Sequence, residues 1–433
     1  MKTVNQPYCQ AFTRFFIKLF NHFSKIPNEE IPKRHENTLG FDNKGEPYET
    51  IKHSVDFHAL VDKLIESLKG WPEYKELRKN LILVDAAGNK FKDKDDFHLN
   101  NNFISSIAYE LFYENELSFK CKAKQVRAKY QLIENGIYQD TWLYAAKSPL
   151  YNLELESKKI KLDEDFSINK ISKVDLEMLF RTSVSSLGNI PPAYSHGIKT
   201  ILTLKVPKRK GERGHFPPLR TRELFTNVAA SLSIFKRSPV SLGPIYLLPK
   251  DFWMIFQGVQ FSGLRPHSRF PWRTVELKKQ EVPSYRAFWK RLKQSSKSHR
   301  WLAIAYERLV EYHFEESSLQ DRIIDIMIMF EILYLAGVEG ELKFRLSSTC
   351  SKLLGQTRPQ REKIYNRMRL AYDIRSSVVH SGKIGSKLEK RLITAGLQLP
   401  GLISKLEGYL YDSFNVFIKN PEKRETLDML LLS

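Results

Sequence analysis

Apolar residues in the first part of the chain recur every three or four positions, which is the spacing of an amphipathic helix. Over residues 11–24 they form one stripe of large side chains: Phe12, Phe16, Leu19, Phe20 and Phe23. Residues 50–68 and 101–113 show the same spacing, whereas residues 27–48 are rich in Asn, Pro, Gly and charge and are predicted to form a loop. The polar face of the first stripe has few lysines, so we expect this stripe to pack in a core or on a partner protein and not on a membrane.

Between about residues 125 and 250 the pattern changes to short apolar runs separated by turn residues. Alternation of apolar and polar side chains over residues 151–156 and 201–206 predicts strands, and further short runs occur at 131–136 and 244–248. Pro and Gly punctuate these runs. This part of the chain is therefore predicted to contain β-structure.

Helical spacing dominates from residue 299 onward, with short connections that imply antiparallel neighbours. Ser318 begins a loose capping box, and Gly382 suits the left-handed end of a helix. The predicted helices cover about residues 301–314, 319–335, 341–354, 359–380 and 402–418. The sequence thus predicts an α+β protein in three regions: mostly helical 1–124, β-containing and basic 125–298, and a helical bundle over 299–433.

Charge separates these regions further. The chain has 69 Lys and Arg residues against 49 Asp and Glu residues, a formal charge of +20. Residues 301–433 hold 19 basic and 17 acidic side chains, so nearly all of the excess lies in the first 300 residues. A basic surface attracts polyanions because neutralised phosphates release their counterions. A polyanion such as RNA or DNA is the expected partner, and a basic surface that only keeps the protein dissolved is the alternative.

Cysteine usage and hydropathy narrow the class of protein. Cys9, Cys121 and Cys350 are far apart in sequence, which argues against disulfide scaffolds and zinc ribbons. Because no apolar run reaches about eighteen residues, a transmembrane helix is not expected. The N-terminal aromatic stripe is followed by no cleavage site of small residues, so it does not resemble a signal peptide. We expect a cytoplasmic protein without a metal or cofactor.

Two clusters of basic residues lie in the middle region. The first contains Lys205, Lys208, Arg209, Lys210, Arg213, Arg220 and Arg222, and the second contains Arg286, Lys290, Arg291, Lys293, Lys297 and Arg300 interleaved with Phe288, Trp289 and Trp301. Basic side chains can follow a nucleic-acid backbone while aromatic rings stack on unpaired bases. We therefore predict RNA contacts from Lys208, Arg209, Lys210, Arg213, Lys290, Arg291 and Lys293. The alternative is a solvated loop and a helix whose aromatic rings face inward.

An arginine and a histidine separated by four residues, Arg375 and His380, close the fourth predicted helix of the C-terminal region. A guanidinium stays charged and suits a phosphate, and an imidazole exchanges protons near neutral pH. Together they can support RNA cleavage without a metal. Residues five positions apart point about 140° apart on an ideal helix, so we expect either a distorted last turn or a second subunit to complete the site. The alternative is an ion-paired Arg375 and an ordinary helix-end His380.

The residues around this motif resemble a known family. Three blocks, 321–334 (DRIIDIMIMFEILY), 344–355 (FRLSSTCSKLLG) and 371–380 (AYDIRSSVVH), resemble in order and spacing the Apea-like branch of the HEPN superfamily, the higher eukaryotes and prokaryotes nucleotide-binding proteins. The resemblance covers roughly residues 300–420. The hallmark of the superfamily is an Arg-x4-6-His motif. The position after its arginine, often Asn, Asp or His in the superfamily, is Ser376 here.

The resemblance implies a small helical bundle that forms a homodimer, with the paired motifs lining one cleft. It also implies metal-independent RNA cleavage, in which His380 is a general acid or base and Arg375 stabilises charge on the phosphoryl oxygens. Ser376, Asp373 and Glu331 are candidate supporting residues. For Asp373 and Glu331 the alternative is a structural role as ion-pair partners that lock the bundle. By analogy with the Apea-like group, the protein is expected to be a toxin or anti-phage effector that responds to a phage-derived or protein trigger.

Two other functions remain open at this point. A non-catalytic RNA-binding or dimerisation scaffold would use the same bundle without cleaving RNA. A DNA-binding regulator would fit the charge, but the sequence contains no helix-turn-helix or zinc-finger signature.

Overall fold

The computed structural model describes residues 3–41, 47–84, 90–91, 99, 103–176, 198–210, 219–251, 260–262, 274–314, 318–335, 340–427 and 429–432. Strands and helices alternate in the N-terminal region, and helices alone form the C-terminal part of the described chain. The α+β prediction is therefore confirmed. Among the described helices, none is both long enough and apolar enough to cross a bilayer.

The N-terminal region surrounds a helix of aromatic side chains. Its elements are α1 (Gln6–Phe23), β1 (Lys33–Phe41), β2 (Pro47–Val55), α2 (Phe57–Gly70), α3 (Pro72–Asn80), β3 (Leu83–Val84), β4 (Lys90–Phe91), α4 (Ser105–Glu114) and α5 (Ala123–Tyr138). Every member of the predicted aromatic stripe of α1 is fully buried. The buried Glu134 carboxylate of α5 accepts hydrogen bonds from Val4 N and Asn5 N, both at 2.8 Å, where α1 begins. The stripe is thus part of a core, as expected.

A hairpin occupies the segment that was predicted to be a loop. β1 pairs with β2 in an antiparallel register that runs from Lys33 opposite Val55 to Phe41 opposite Pro47. The helix predicted to start at residue 50 starts only at Phe57, after the Asp56 side chain caps Ala59 N. The loop prediction used composition, and the helix prediction extended helical spacing back over β2. Both were wrong because these two polar strands lack the apolar alternation by which a strand is detected.

An antiparallel sheet forms the centre of the middle region. The described α-helices and strands of the middle region are β5 (Thr141–Tyr151), β6 (Leu153–Leu155), β7 (Lys159–Lys161), β8 (Phe166–Lys170), β9 (Thr200–Arg209), α6 (Leu219–Lys236), β10 (Ser241–Leu242), β11 (Ile245–Pro249), β12 (Gln260–Ser262), β13 (Val275–Leu277) and α7 (Val282–Ser298). The strand order is β12-β11-β5-β9-β8-β7, with β10 also paired to β5. The strands predicted from alternation are present in β5, β6 and β9. The run at 131–136, by contrast, belongs to helix α5.

Helix α6 was not predicted, although it covers one face of this sheet. The ring of Phe225 stacks on that of Phe166 with centroids 5.5 Å apart. Small and hydroxylic residues are buried around much of α6, including Ala229, Ser231 and Ser233. Such a helix lacks the clear apolar stripe that sequence periodicity detects.

The C-terminal helices follow the sequence prediction closely. They are α8 (Arg300–Phe314), α9 (Leu319–Tyr334), α10 (Leu342–Leu354), α11 (Arg358–Ser381), α12 (Ser386–Thr394), α13 (Leu399–Lys419) and α14 (Met429–Leu432). Ser318 caps α9 as predicted, since its hydroxyl accepts from Asp321 N at 3.1 Å. The short helix α12 was not predicted.

Helices from the middle region pack directly on the C-terminal bundle. Asn415 Nδ2 donates to Ile234 O at 3.0 Å, which joins α13 to α6. Ser295 Oγ donates to Ile418 O at 3.3 Å, which joins α7 to α13. The buried apolar residues of all three regions form one continuous cluster. The domain boundaries at 124 and 298 remain predictions.

Candidate functional site

The helix that carries Arg375 and His380 has well-defined ends. At its start, Thr357 and Gln360 form a capping box, with Pro359 in the first turn. At its end, Gly382 adopts a left-handed conformation with φ +68°, and its N–H donates to Val378 O at 2.8 Å. This bond is the ordinary four-residue helical bond, so α11 remains a regular helix through its last turn.

Arg375 belongs to α11, and its side chain faces α9 and is about one quarter exposed. Its Nη2 atom is 3.6 Å from Glu331 Oε2, which is longer than a normal hydrogen bond. Its Nε atom is buried and has no hydrogen-bond partner among the residues that the structure describes. Glu331 therefore contacts the motif arginine, which fits both the predicted supporting role and its alternative, a structural ion pair. The guanidinium retains an unused donor at Nε among the described residues.

His380 lies on the exposed surface at the end of α11. Within the part of the chain that the structure describes, its imidazole makes no hydrogen bond or ion pair. Because the helix is regular, the directions of Arg375 and His380 differ by about 140°. One subunit therefore does not present both side chains to one phosphate, and a distorted last turn is excluded as the solution.

Asp373 contacts two cations other than Arg375. Its carboxylate accepts hydrogen bonds from Lys343 Nζ of α10 at 3.0 Å and from Arg391 Nη1 of α12 at 2.8 Å. Burial opposes ionisation of Asp373, but the hydrogen bonds from Arg391 and Lys343 outweigh it and hold the pKa of this carboxyl below its ordinary value. The prediction that Asp373 orients Arg375 is replaced by its alternative, a structural role that joins three helices.

Two serines follow the motif arginine. Ser376 is half-buried, and it shares a helical face with His380 one turn later. The neighbouring Ser377 was not predicted: its hydroxyl donates to Lys383 O at 2.9 Å and accepts from Gly385 N at 3.3 Å. These bonds fix the chain that follows His380.

The first basic cluster is partly engaged in structural contacts. Lys210 Nζ donates to Ile137 O at 2.6 Å and lies over the Trp142 ring. Burial, with a smaller contribution from Lys90, lowers the pKa of Lys210. Lys205 is paired with Asp165 at 2.8 Å. The Nζ atom of Lys210, one of the predicted RNA contacts, is thus engaged within the fold. Lys208 and Arg209 lie at the end of β9, and Arg213 lies outside the described residues.

The second basic cluster lies on helix α7 with its cations exposed and its aromatic rings inside. Lys290, Arg291 and Lys293 are exposed, whereas Phe288 and Trp289 are each only 6% exposed. The prediction that these two rings stack on bases was therefore wrong. Apolar positions at 285, 288, 289 and 292 have helical spacing, which was the available signal that the rings face inward.

No group of three or more His, Cys, Asp and Glu side chains is placed to hold a metal ion within the described ranges. The donors around the motif are instead cationic, hydroxylic and imidazole groups, which suit a phosphate. No family model, curated protein or solved structure matches this chain. The functional assignment therefore depends on the site itself and on the resemblance of its motif blocks.

Proposed function

We propose that this chain is a metal-independent endoribonuclease of the HEPN type that acts as a homodimer in the cytoplasm. The observation that carries the proposal is the state of the two motif side chains. His380 is exposed and makes no polar contact in the described structure, and Arg375 has one long ion pair and an unbonded Nε. Groups held with unused hydrogen-bonding capacity are suited to a ligand.

The proposed reaction is attack of an RNA 2′-hydroxyl on its adjacent phosphate. The imidazole of His380 removes the 2′ proton as the new bond to phosphorus forms, and the resulting imidazolium gives a proton to the 5′ oxygen as the bond from phosphorus to that oxygen breaks. Arg375 stabilises the charge that develops on the non-bridging oxygens. The products are a 2′,3′-cyclic phosphate and a free 5′-hydroxyl. DNA is not cleaved because it lacks the attacking hydroxyl.

The regular helix supports a site that is assembled from two subunits. Arg375 and His380 of one chain lie on different faces of α11, so Arg375 of one subunit acts with His380 of the partner subunit. Closed two-fold dimers produce two such sites from one pair of surfaces. This arrangement resolves the geometric conflict without any change in the helix.

Purified protein incubated with mixed cellular RNA in EDTA tests the proposal. We expect wild-type protein to cleave RNA and both His380→Ala and Arg375→Ala to lose at least about 100-fold in rate. His58→Ala and Arg358→Ala are matched controls. His58 is exposed on α2, and Arg358 is exposed at the end of α11 opposite to the motif. Undiminished cleavage by His380→Ala would overturn the assignment of the site.

A non-catalytic RNA-binding or dimerisation scaffold is the second candidate. It is favoured by the contact of Arg375 with Glu331 and by Ser376 at the position after the arginine. A scaffold leaves RNA intact in every sample of the same assay, and its RNA affinity is unchanged by His380→Ala.

The proposed biological role is that of a toxin or anti-phage effector, by analogy with the Apea-like group. Induced expression of the wild-type chain then arrests bacterial growth when its trigger is present, and expression of His380→Ala does not.

A further inference from the structure

Helix α7 displays a straight row of cations on its exposed side, which we call the α7 ridge: Arg286, Lys290, Lys293 and Lys297. Their spacing of three or four residues confines them to about 60° of the helix circumference, over about 17 Å of helix length. The sequence of α7 contains no acidic residue. Arg291 is also exposed, but it lies about 100° around the helix from Lys290, the nearest ridge residue.

The opposite side of α7 fixes the ridge firmly to the molecule. Val282, Tyr285, Phe288, Trp289 and Leu292 are buried. Tyr285 shares a hydrogen bond of 2.9 Å with Ser231 of α6. The ridge itself is anchored at its first residue, where Arg286 Nε donates to Lys161 O of β7 at 2.9 Å. The cations therefore project from a helix whose position is set by its contacts with α6 and β7.

We propose that the α7 ridge binds the phosphate backbone of base-paired RNA. Proteins that bind single strands without sequence preference combine cations with exposed aromatic rings on which bases stack. The ridge provides the cations, but the rings of Phe288 and Trp289 face the core. Duplex RNA is recognised mainly through its phosphates and shape, and a straight row of cations matches this requirement.

A membrane surface is the competing anionic partner, and the ridge fits it less well. A helix that lies on a bilayer inserts large apolar side chains between the headgroups. Around the ridge the exposed neighbours are Ser284, Ala287 and Gln294, and the large exposed apolar side chains of the described chain lie elsewhere.

The choice of RNA over other polyanions rests on the proposed ribonuclease function, but binding by the ridge does not require cleavage. Binding is therefore measured with full-length His380→Ala protein, in which cleavage is removed. The probe is a fluorescent RNA hairpin with a stem of about 20 base pairs, and its anisotropy is followed at several salt concentrations. A single-stranded RNA of equal length, a DNA duplex and phosphatidylserine vesicles are the comparison ligands.

The test variant replaces Lys290, Lys293 and Lys297 by Gln, and a matched control replaces Lys75, Lys79 and Lys124, which are exposed lysines on α3 and α5. Both variants lose three positive charges. We expect the ridge variant to bind the hairpin at least about tenfold more weakly at 150 mM salt. The slope of log K against log salt should become shallower by about 2.7, because three phosphate contacts are lost. The control variant should change affinity less than about twofold.

Several results would overturn the inference: equal loss in the control variant, tighter binding of single-stranded RNA than of the hairpin, or preferential binding of the vesicles. Equal affinity for the DNA duplex supports contact with phosphates alone. If the hairpin binds through the ridge but wild-type protein cleaves no RNA, the inference stands and the ribonuclease proposal fails. If wild-type protein cleaves RNA but the ridge variant binds the hairpin with undiminished affinity, the inference fails and the ribonuclease proposal stands.

Discussion

Two of the arginine–glutamate pairs in the described C-terminal bundle differ in how completely their hydrogen bonds are satisfied. Arg322 of α9 bonds to Glu407 of α13, and the Tyr312 hydroxyl lies between them: it accepts from Arg322 Nη2 at 2.8 Å and donates to Glu407 at 2.5 Å. The other pair, Arg375 with Glu331, has only its single contact of 3.6 Å. The first pair is thus a closed network, and the second is open.

The closed pair, Arg322 with Glu407, is also more deeply buried than the open pair, Arg375 with Glu331. The Arg322 and Glu407 side chains are 16% and 11% exposed, whereas those of Arg375 and Glu331 are 26% and 25% exposed. Burial, assisted by the Glu407 carboxylate, raises the pKa of Tyr312 well above its usual value, so this tyrosine remains a hydrogen-bond donor. A buried and satisfied network holds helices together. An arginine with unused donors near the surface can instead bind a ligand, and this contrast locates the candidate site.

The same substitution at the two glutamates gives the largest expected difference. Glu407→Gln leaves the buried Arg322 without its counter-charge, and we expect it to lower the free energy of unfolding by about 3 kcal/mol. Glu331→Gln should cost less than about 1 kcal/mol, because this pair is long and partly exposed. Chemical denaturation of the full-length variants measures both. Equal costs would remove the distinction between a closed and an open pair.

Mixing two inactive variants tests whether the open pair belongs to a shared site. Arg375→Ala and His380→Ala chains, after subunit exchange, should recover about one quarter of wild-type cleavage, since half of the dimers are mixed and each has one intact site of two. A chain with both substitutions, mixed with His380→Ala, provides the inactive control. Cleavage that stays at background in the first mixture would mean that each site uses one chain only.

The smallest effect is expected at Asp373, on a different side of α11. Its pKa lies below the ordinary value, so its ion pairs contribute stability at neutral pH that is lost as the pH falls through the acid range below about 4. Asp373→Asn has no such contribution. The difference in melting temperature between wild type and variant should therefore be constant above pH 5 and should shrink below it. A difference that is independent of pH would show that Asp373 acts through packing and not through charge.

Local signals in the sequence predicted much of the C-terminal bundle. Ser318, Pro359 and Gly382 mark helix ends, and the structure places helix ends at or beside each of them. Such signals act within a few residues, so one sequence is enough to detect them. The hairpin β1–β2 was missed because its strands are polar, and helix α6 was missed because the small and hydroxylic residues that it buries form no clear apolar stripe.

The candidate site was predicted only in part. Arg375, His380 and the contact with Glu331 follow from the motif and its surrounding blocks. The partners of Asp373 do not, because Lys343 and Arg391 reach it from two other helices, 30 and 18 residues away. Likewise, cations and aromatic rings alternate along α7 in sequence, but only the folded helix shows that the rings are buried and the cations exposed, with Lys293 Nζ 5.1 Å from the centre of the Trp289 ring.

The packing of α6 and α7 on the C-terminal bundle also limits how this chain can evolve. The hydrogen bonds from Asn415 to Ile234 and from Ser295 to Ile418 cross the boundary predicted near residue 298. A recombination event at that boundary would give the bundle to a new protein without two of the helices that cover its apolar surface. Transfer of the bundle together with both helices, α6 and α7, therefore requires a crossover before Leu219.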